Sequence, residues 1–308
     1  LPELNGKRIL FAGATSSVGE PVAKALARGN EVIAVARFSN PKARRRLEGA
    51  GVRCVTFDLG TTAGEVADLP EHVDFVANFA VAQTSDWDLA IAANAEGVGL
   101  LMERYRSATA YLHCSSTAVY QPAGPLPRRE TDPLGDNHRG IMETYSITKI
   151  AAEAVARTMS RALELPTTIA RLNVPYGDRV GFPYFHFEMM RAGASIELHP
   201  DRPNLYSPIH VDDIIAMIPG LLAAATVPAT IVNWGGTDVV GIEEWCAYMT
   251  ELTGIGASFV ENPAMIGSVV PDLTRLHSLV EPAAVNWQDG LRRMIGERHA
   301  DLLTVAQG

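Results

Sequence analysis

The sequence predicts an α/β fold, a doubly wound parallel sheet, and three observations predict it. Short apolar runs alternate with helical patterns, as crossover connections between parallel strands require. The first run closes on a glycine-bounded turn that opens a helix, Gly13 to Gly19. The composition, 47% apolar and 20% charged over 308 residues, suits a globular chain with a sizeable core, as one large domain or two smaller ones.

Taken in order, Arg8-Ile9-Leu10-Phe11-Ala12 has the form of a strand buried on both faces, and a helical pattern runs from Gly19 to Arg28. Between them lies Gly13-Ala14-Thr15-Ser16-Ser17-Val18-Gly19. Strand, glycine turn and helix stand in the order a dinucleotide phosphate site needs. Gly13 allows the tight turn and Gly19 lets the helix lie close to the sheet. The N–H groups of Thr15, Ser16, Ser17 and Val18 are then candidates to face a pyrophosphate. Ser16 replaces a middle glycine, which holds the backbone farther from the phosphate while offering a hydroxyl in compensation.

Glu31 to Ala36 forms a second strand ending at Arg37. An Asp or Glu there would take the ribose hydroxyls of NAD, whereas a guanidinium pairs with a 2′-phosphate, so NADP is the expected cofactor and NAD the alternative. Val52 to Phe57, closing on Asp58-Leu59, and Val73 to Phe79, ending in Asn78-Phe79-Ala80, read as the third and fourth strands. A helix from about Trp87 to Arg106 and a fifth strand from Ala110 to Cys114 follow. Ile214 to Val232 carries no charge but is interrupted by Pro219-Gly220 and Pro228, which divides it into a buried helix after Asp212-Asp213 and a strand before Trp234.

A net charge of −9 argues against partners that need clustered positive charge, nucleic acid and acidic membrane surfaces, despite the local cluster Arg37, Lys42, Arg44, Arg45 and Arg46. Cys54, Cys114 and Cys246 fit neither a disulfide framework nor a metal-ligand spacing. With a first stretch that enters a strand pattern directly, the expected location is a reducing cytoplasm and the expected metal content is none. His210 with Asp212 and Asp213 lacks a third ligand at sensible spacing, and either Asp reads as a helix cap.

The chemistry concentrates between His113 and Lys149. Tyr145 and Lys149 are four residues apart in a helical pattern, so phenol and ammonium share a face. Bringing a phenol from its usual pKa of about 10 to roughly 7 takes about 4 kcal/mol of preferential phenolate stabilisation, and a neighbouring ammonium has the right sign. A strand-end hydroxyl such as Ser116 would hold the oxygen that gains or loses the proton. That set interconverts a hydroxyl and a carbonyl.

Jointly the motifs resemble an extended short-chain dehydrogenase/reductase, the group containing the nucleotide-sugar epimerases and dehydratases. The matching stretches are Gly13 to Gly19, Asp58-Leu59, Asn94 to Gly97, Ser115 to Tyr120, Tyr145 to Lys149, Arg171 to Gly177 and Ile209 to Asp213. The resemblance implies a Rossmann-type sheet over residues 1–172 with 211–240. It also implies a smaller substrate-binding lobe over 173–210 with 241–308, entered at Asn173. Tyr145 becomes the proton donor or acceptor, Lys149 the group that binds the nicotinamide ribose and lowers the phenol pKa, and Ser116 the holder of the substrate oxygen, with Ser115 and Thr117 as competitors. Asp58 would bond the adenine beside Leu59, Ala80 would line the nicotinamide ribose, Asn94 would brace the strand ends, and His113 would be structural.

In nucleotide-sugar members an Arg three residues before the strand's Ile-His binds a pyrophosphate; here that place is Tyr206, with Arg202 nearby. The leading expectation is therefore an NADP(H)-dependent oxidoreductase on a ketone or secondary alcohol of a non-nucleotide small molecule. The alternative is an epimerase or dehydratase with a recycled cofactor, for which Glu143 and Glu130 are candidate acids or bases. The apolar stretch Phe182 to Leu198 hints at a ligand less polar than a sugar. Alanines 92, 93, 151, 152 and 154 suggest, through the same resemblance, a homodimer built from the two long helices.

Overall fold

The computed structural model describes residues 4–60 and 69–303. Its centre is a seven-stranded parallel sheet built from β1 (Arg8–Ala12), β2 (Glu31–Ala36), β3 (Arg53–Thr56), β4 (Phe75–Asn78), β5 (Ala110–Ser116), β6 (Thr167–Leu172) and a late strand, Thr230–Trp234. From edge to edge the order is late strand, β6, β5, β4, β1, β2, β3. The chain reverses direction across the sheet between β1 and β4, which opens a crevice at their carboxyl ends.

The two-residue alternation of each strand sorts the core. Ile9 and Phe11 join Val32 and Ala34 on one face, against α1 (Gly19–Leu26) and the late helix Val211–Ala223. Leu10 and Ala12 join Ile33 and Val35 on the other, against Val98 and Leu101 of one helix and Ala152 and Ala156 of another. Burial on both faces is why these strands are uninterrupted apolar runs. The remaining helix on the β2 side is α2 (Pro41–Glu48), started by Asn40, whose side chain accepts from the Lys42 N–H.

The helix expected from Trp87 to Arg106 is interrupted. It runs as α3 (Trp87–Ile91), a π-helical turn Ala92–Glu96, and α4 (Gly97–Arg104). The widened turn carries Asn94 inward, where Oδ1 accepts from the Ala82 N–H at 2.6 Å and Nδ2 donates to the Ala82 carbonyl at 3.0 Å and to Thr148 Oγ1 at 3.1 Å. Such turns recur at functional sites because they re-aim a side chain without ending the helix. α5 (Tyr145–Ala162) packs beside α4, with Ala152 and Ala156 in the core and Ala154 exposed.

Beyond β6 the chain leaves the sheet. β7 (Pro175–Tyr176), α6 (Gly181–Arg191), β8 (Ile196–Leu198), β9 (Leu205–Tyr206) and β10 (Ile209–His210) precede α7 (Val211–Ala223) and β11 (Thr230–Trp234), the late helix and strand of the sheet. β12 (Val240–Gly241), α8 (Ile242–Thr253), β13 (Phe259–Glu261), α9 (Thr274–His277) and α10 (Trp287–His299) follow. A separate core holds α6, α8 and α10 together through Phe187, Trp245, Met249, Leu291 and Met294. α9 instead sends Leu276 into the sheet's core. The expected cap of α7 differs: His210 caps it by accepting from the Asp212 N–H at 3.2 Å, while Asp213 accepts from the Ala284 and Val285 N–H groups. Asp213 is thereby a clamp between α7 and the approach to α10.

A buried ionic network stiffens the sheet where the site forms. Arg171 grips Glu153 in a fork, Nε to Oε1 at 2.9 Å and Nη2 to Oε2 at 2.7 Å, with both side chains nearly sealed from solvent. Ser115 donates to the same carboxylate, Arg171 donates to the Tyr120 hydroxyl, and that hydroxyl donates to Asn233. β5, α5 and β6 are joined by charge-assisted bonds to Glu153, and the Tyr120 hydroxyl extends the network to β11. The end of β5, which carries Ser116, is thus held at a set height against α5.

Candidate active site

The glycine turn shows why its glycines are glycines. Gly13 has φ +89°, and a Cβ there would stand 2.5 Å from the Phe79 carbonyl carbon and 2.6 Å from the Ala80 nitrogen. A Cβ on Gly19 would stand 2.2 Å from the Gly13 carbonyl oxygen. Ser16 braces the turn, its hydroxyl donating to the Gly13 carbonyl at 2.9 Å and accepting from the Gly19 N–H at 2.9 Å. The proton expected to reach a phosphate is therefore spent inside the turn. Ser17 and Val18 lead directly into the start of α1, with Val18 as its N-cap.

Gly13, Thr15 and Ser16 border a cavity of about 210 Å³ that continues past Arg37, Asp58, Leu59 and Ala80. The predicted cofactor residues of four strand ends thus converge on one groove. Asp58 Oδ1 also accepts from the Gly60 N–H at 3.3 Å, and the Ala80 N–H is held by Asn78 Oδ1 at 3.0 Å. The groove fits an extended dinucleotide: a backbone bare of Cβ where the chain must pass closely, a helix start beyond it, and a guanidinium at the far end.

Ser17 and Val18, which follow Ser16 in the turn, line a second cavity of about 230 Å³ that holds Ser116 and Tyr145. Tyr145 opens α5, and Thr144 before it pins the helix start by donating to the Thr84 carbonyl at 2.7 Å. Lys149, one turn on and buried, donates from Nζ to the Cys114 carbonyl at 2.9 Å. The electrostatics differ from the expected lowering of the phenol. Burial pushes Tyr145 up to about 12, and the Ser116 hydroxyl, in hydrogen-bonding reach, acts the other way. Lys149 is itself lowered by burial. The ammonium is spent on the carbonyl, so the fold stores Tyr145 as a protonated acid.

Two histidines flank this centre. His113 is buried on β5 with neither ring nitrogen hydrogen-bonded among the described residues, and burial together with Lys149 pushes it down to about 3. His138 was not legible as a site residue. Its ring lies 5.2 Å from that of Tyr145, its Nδ1 contacts Asn137 Oδ1, and burial pushes it down to about 4. Its carbonyl accepts from the Met142 N–H, so it also shapes the turn that delivers Tyr145. Its position seven residues before Tyr145 is the one available signal.

The predicted substrate residues take different places. Asn94 braces from behind and borders neither cavity. Asn173 and Tyr206 line the second cavity, but their polar atoms are engaged: Asn173 with Thr117 Oγ1, the Val269 carbonyl and the Ser207 N–H, Tyr206 with the Ile266 and Gly267 carbonyls. Arg202 turns away toward Glu243 and Glu261. Glu130 accepts from the Asn233 N–H, and Glu143 borders a neighbouring hollow, so neither lines the cavity. Phe182, Phe185, Ile266 and Val269 complete the wall, and Val269 also borders a further polar cavity of about 370 Å³ containing Arg128, Arg139, Asp136 and Asp201.

A profile of the NAD dependent epimerase/dehydratase family matches residues 9–235. No curated protein matches the chain at a significant level. Among solved structures, UDP-glucose 4-epimerase from Thermotoga maritima superposes with a TM-score of 0.80 at 19% identity, over 96% of this chain and 99% of that one. UDP-N-acetylglucosamine 4-epimerase from Methanobrevibacter ruminantium gives 0.81 at 16%, over 94% and 97%. DesIV, a dTDP-glucose 4,6-dehydratase from Streptomyces venezuelae with NAD bound, gives 0.78 at 21%, over 95% and 98%. At these identities the likeness is one of fold.

Proposed function

The chain belongs to the NAD dependent epimerase/dehydratase family, an extended short-chain dehydrogenase/reductase and an enzyme, and from that premise we propose that it interconverts a ketone and a secondary alcohol of a small molecule with NADP(H). The observation that carries this reading is the meeting of the Ser116 and Tyr145 hydroxyls in one cavity, with buried Lys149 a turn behind. The nicotinamide, when bound, supplies or accepts the hydride. Ser116 holds the carbonyl oxygen, and Tyr145 gives that oxygen its proton as the carbon becomes saturated. In the reverse direction Tyr145 must stand as a phenolate to take the alcohol's proton, becoming the phenol again, and the positive charge of Lys149 a turn behind favours that phenolate.

Gly13, Thr15, Ser17 and Val18 would hold the pyrophosphate, Asp58 and Leu59 the adenosine, and Ala80 and Lys149 the nicotinamide ribose. In this reading residues 1–172 with 211–240 serve the cofactor, and 173–210 with 241–308 the substrate. Tyr145→Phe is expected to cut turnover by about a hundredfold or more while cofactor binding, read by fluorescence titration, stays within about twofold. Near-normal turnover in that variant would remove the mechanism.

The solved relatives favour a second reading, an epimerase or dehydratase acting on a nucleotide sugar with the dinucleotide retained, since the relatives named above are such enzymes. Denaturing the purified protein and identifying the released dinucleotide separates the two. Stoichiometric NAD supports recycling; an empty site that then prefers NADPH supports exchange. The engagement of Tyr206 with backbone favours the first reading. We also propose a homodimer through the outer face of α3 to α5, where Trp87, Leu89, Ile91, Leu100 and Ile147 are exposed.

A further inference from the structure

We propose that the ring carrying the reacting carbon is a compact apolar one, a cyclic or aryl-fused ketone or its alcohol, and not a polyhydroxylated sugar ring. This deepens the hydride-transfer reading and rests on it. The argument is a census of what the catalytic cavity can offer. Among the described residues no Asp, Glu, Lys or Arg lines it. Of its polar side chains, Asn173 and Tyr206 have their hydrogen-bonding atoms taken by backbone and Thr117, and Thr117 Oγ1 is held by Asn173. Ser17 belongs to the glycine turn, and Gln83 lines both this cavity and the neighbouring hollow of Thr84 and Glu143.

Ser116 and Tyr145 both address the single oxygen that reacts. His138, neutral and with Nδ1 turned to Asn137, and Gln83 are then the side chains left to meet further polar groups. A sugar ring brings several hydroxyls to this wall, and each hydroxyl stripped of water without a partner costs on the order of ten- to a hundredfold in affinity.

The rest of the wall selects for apolar surface. Phe182, Met142, Leu172, Ile266 and Val269 line the interior, and Phe185, 53% exposed, stands at the rim with its ring against Tyr184. An apolar cavity of about 150 Å³ accepts benzene. At about 230 Å³ this one has room for a ring with a fused or substituent group.

The test uses the purified full chain and NAD(P)H with three ketones, 1-indanone, 1-tetralone and the ring-matched polyol myo-inosose, together with UDP-glucose followed for epimerisation by NMR. Each ketone gains a hydride at its carbonyl carbon and a proton at its oxygen as NAD(P)H becomes NAD(P)+. The expected result is a kcat/KM for indanone or tetralone at least tenfold above that for inosose, with no change in UDP-glucose. Phe185→Ala should raise KM for the apolar ketones about fivefold.

Faster turnover of inosose or UDP-glucose, or no turnover of either apolar ketone at millimolar concentration, overturns the proposal. Tyr145→Phe run beside them separates the two levels. Polyol or sugar turnover that disappears in Tyr145→Phe sinks the apolar ring alone, whereas turnover that survives it sinks the hydride-transfer reading as well.

Discussion

At the scale of single residues, Arg37 and the buried histidines carry the sharpest consequences. Arg37 is exposed at the end of β2 and borders the cofactor groove beside Asp58. In the proposed NADP reading its guanidinium pairs with the 2′-phosphate, so Arg37→Ala is expected to weaken NADPH about ten- to a hundredfold and NADH less than threefold in parallel titrations. Equal losses for both would end the NADP assignment. His113, His138 and His186 are pushed down to about 3, 4 and 4 by burial. Each is neutral in the fold but takes a proton in the unfolded chain below its ordinary value of about 6.5. The unfolded state therefore binds more protons between pH 6.5 and 4, and stability is complete above that window and falls as pH drops through it. Each group contributes roughly 1 kcal/mol per pH unit there. Urea midpoints measured from pH 7 to 4.5 should decline steeply, and His113→Leu should flatten the decline. His113, with no partner to lose among the described residues, is the cleanest probe of this effect.

Among elements, the glycine turn and the broken helix α3 to α4 show two grades of legibility. The turn was readable because strand, Gly13, Gly19 and helix are contiguous and a Cβ at either glycine collides with fixed backbone. Gly13→Ala meets both that collision and a positive φ, and is expected to cost more than about 2 kcal/mol in denaturant unfolding and to abolish cofactor binding. Retained binding with unchanged stability would show that the turn relaxes freely. The helix was readable as a helix, but its π turn was not. The turn exists because Asn94 must reach the Ala82 backbone and Thr148, partners 12 and 54 residues away. No local propensity encodes such an appointment. The interruption at Pro219, by contrast, leaves α7 continuous, because its flanks Ile218 and Gly220 are buried on the sheet.

For the molecule as a whole, the outer face of α3, α4 and α5 exposes Trp87, Leu89, Ile91, Leu100 and Ile147, at 39 to 47% of their surface. Apolar groups gathered on one side are costly to hydrate, and a second copy is the proposed cover. Light scattering at micromolar concentration is expected to give twice the mass of 33.1 kDa, and Leu100→Glu with Ile147→Glu should return it to one. A monomeric wild type would exclude a stable dimer. No helix among the described residues is long and apolar enough to cross a membrane, and the charge-free stretch divides between α7 and β11 around Pro228, with Pro219 inside α7.

The parallel sheet, the phosphate turn and the spacing of Tyr145 and Lys149 could be read from the chain because each depends on near neighbours: a two-residue or one-turn period, a glycine where Cβ has no room, a motif of five residues. The phenol's acidity was beyond such reading. Burial sets it and sends Tyr145 upward, where an adjacent ammonium alone would send it down, while the Cys114 carbonyl on β5 engages that ammonium. The same holds for the cavity wall. Asn173 and Tyr206 look like ligand-binding residues until the Val269, Ile266 and Gly267 carbonyls, 60 to 96 residues on, are seen to engage them. Hydrogen bonds between distant segments depend on how the layers close, and here that closure leaves a chamber without Asp, Glu, Lys or Arg among its described lining residues around the Ser116 and Tyr145 hydroxyls.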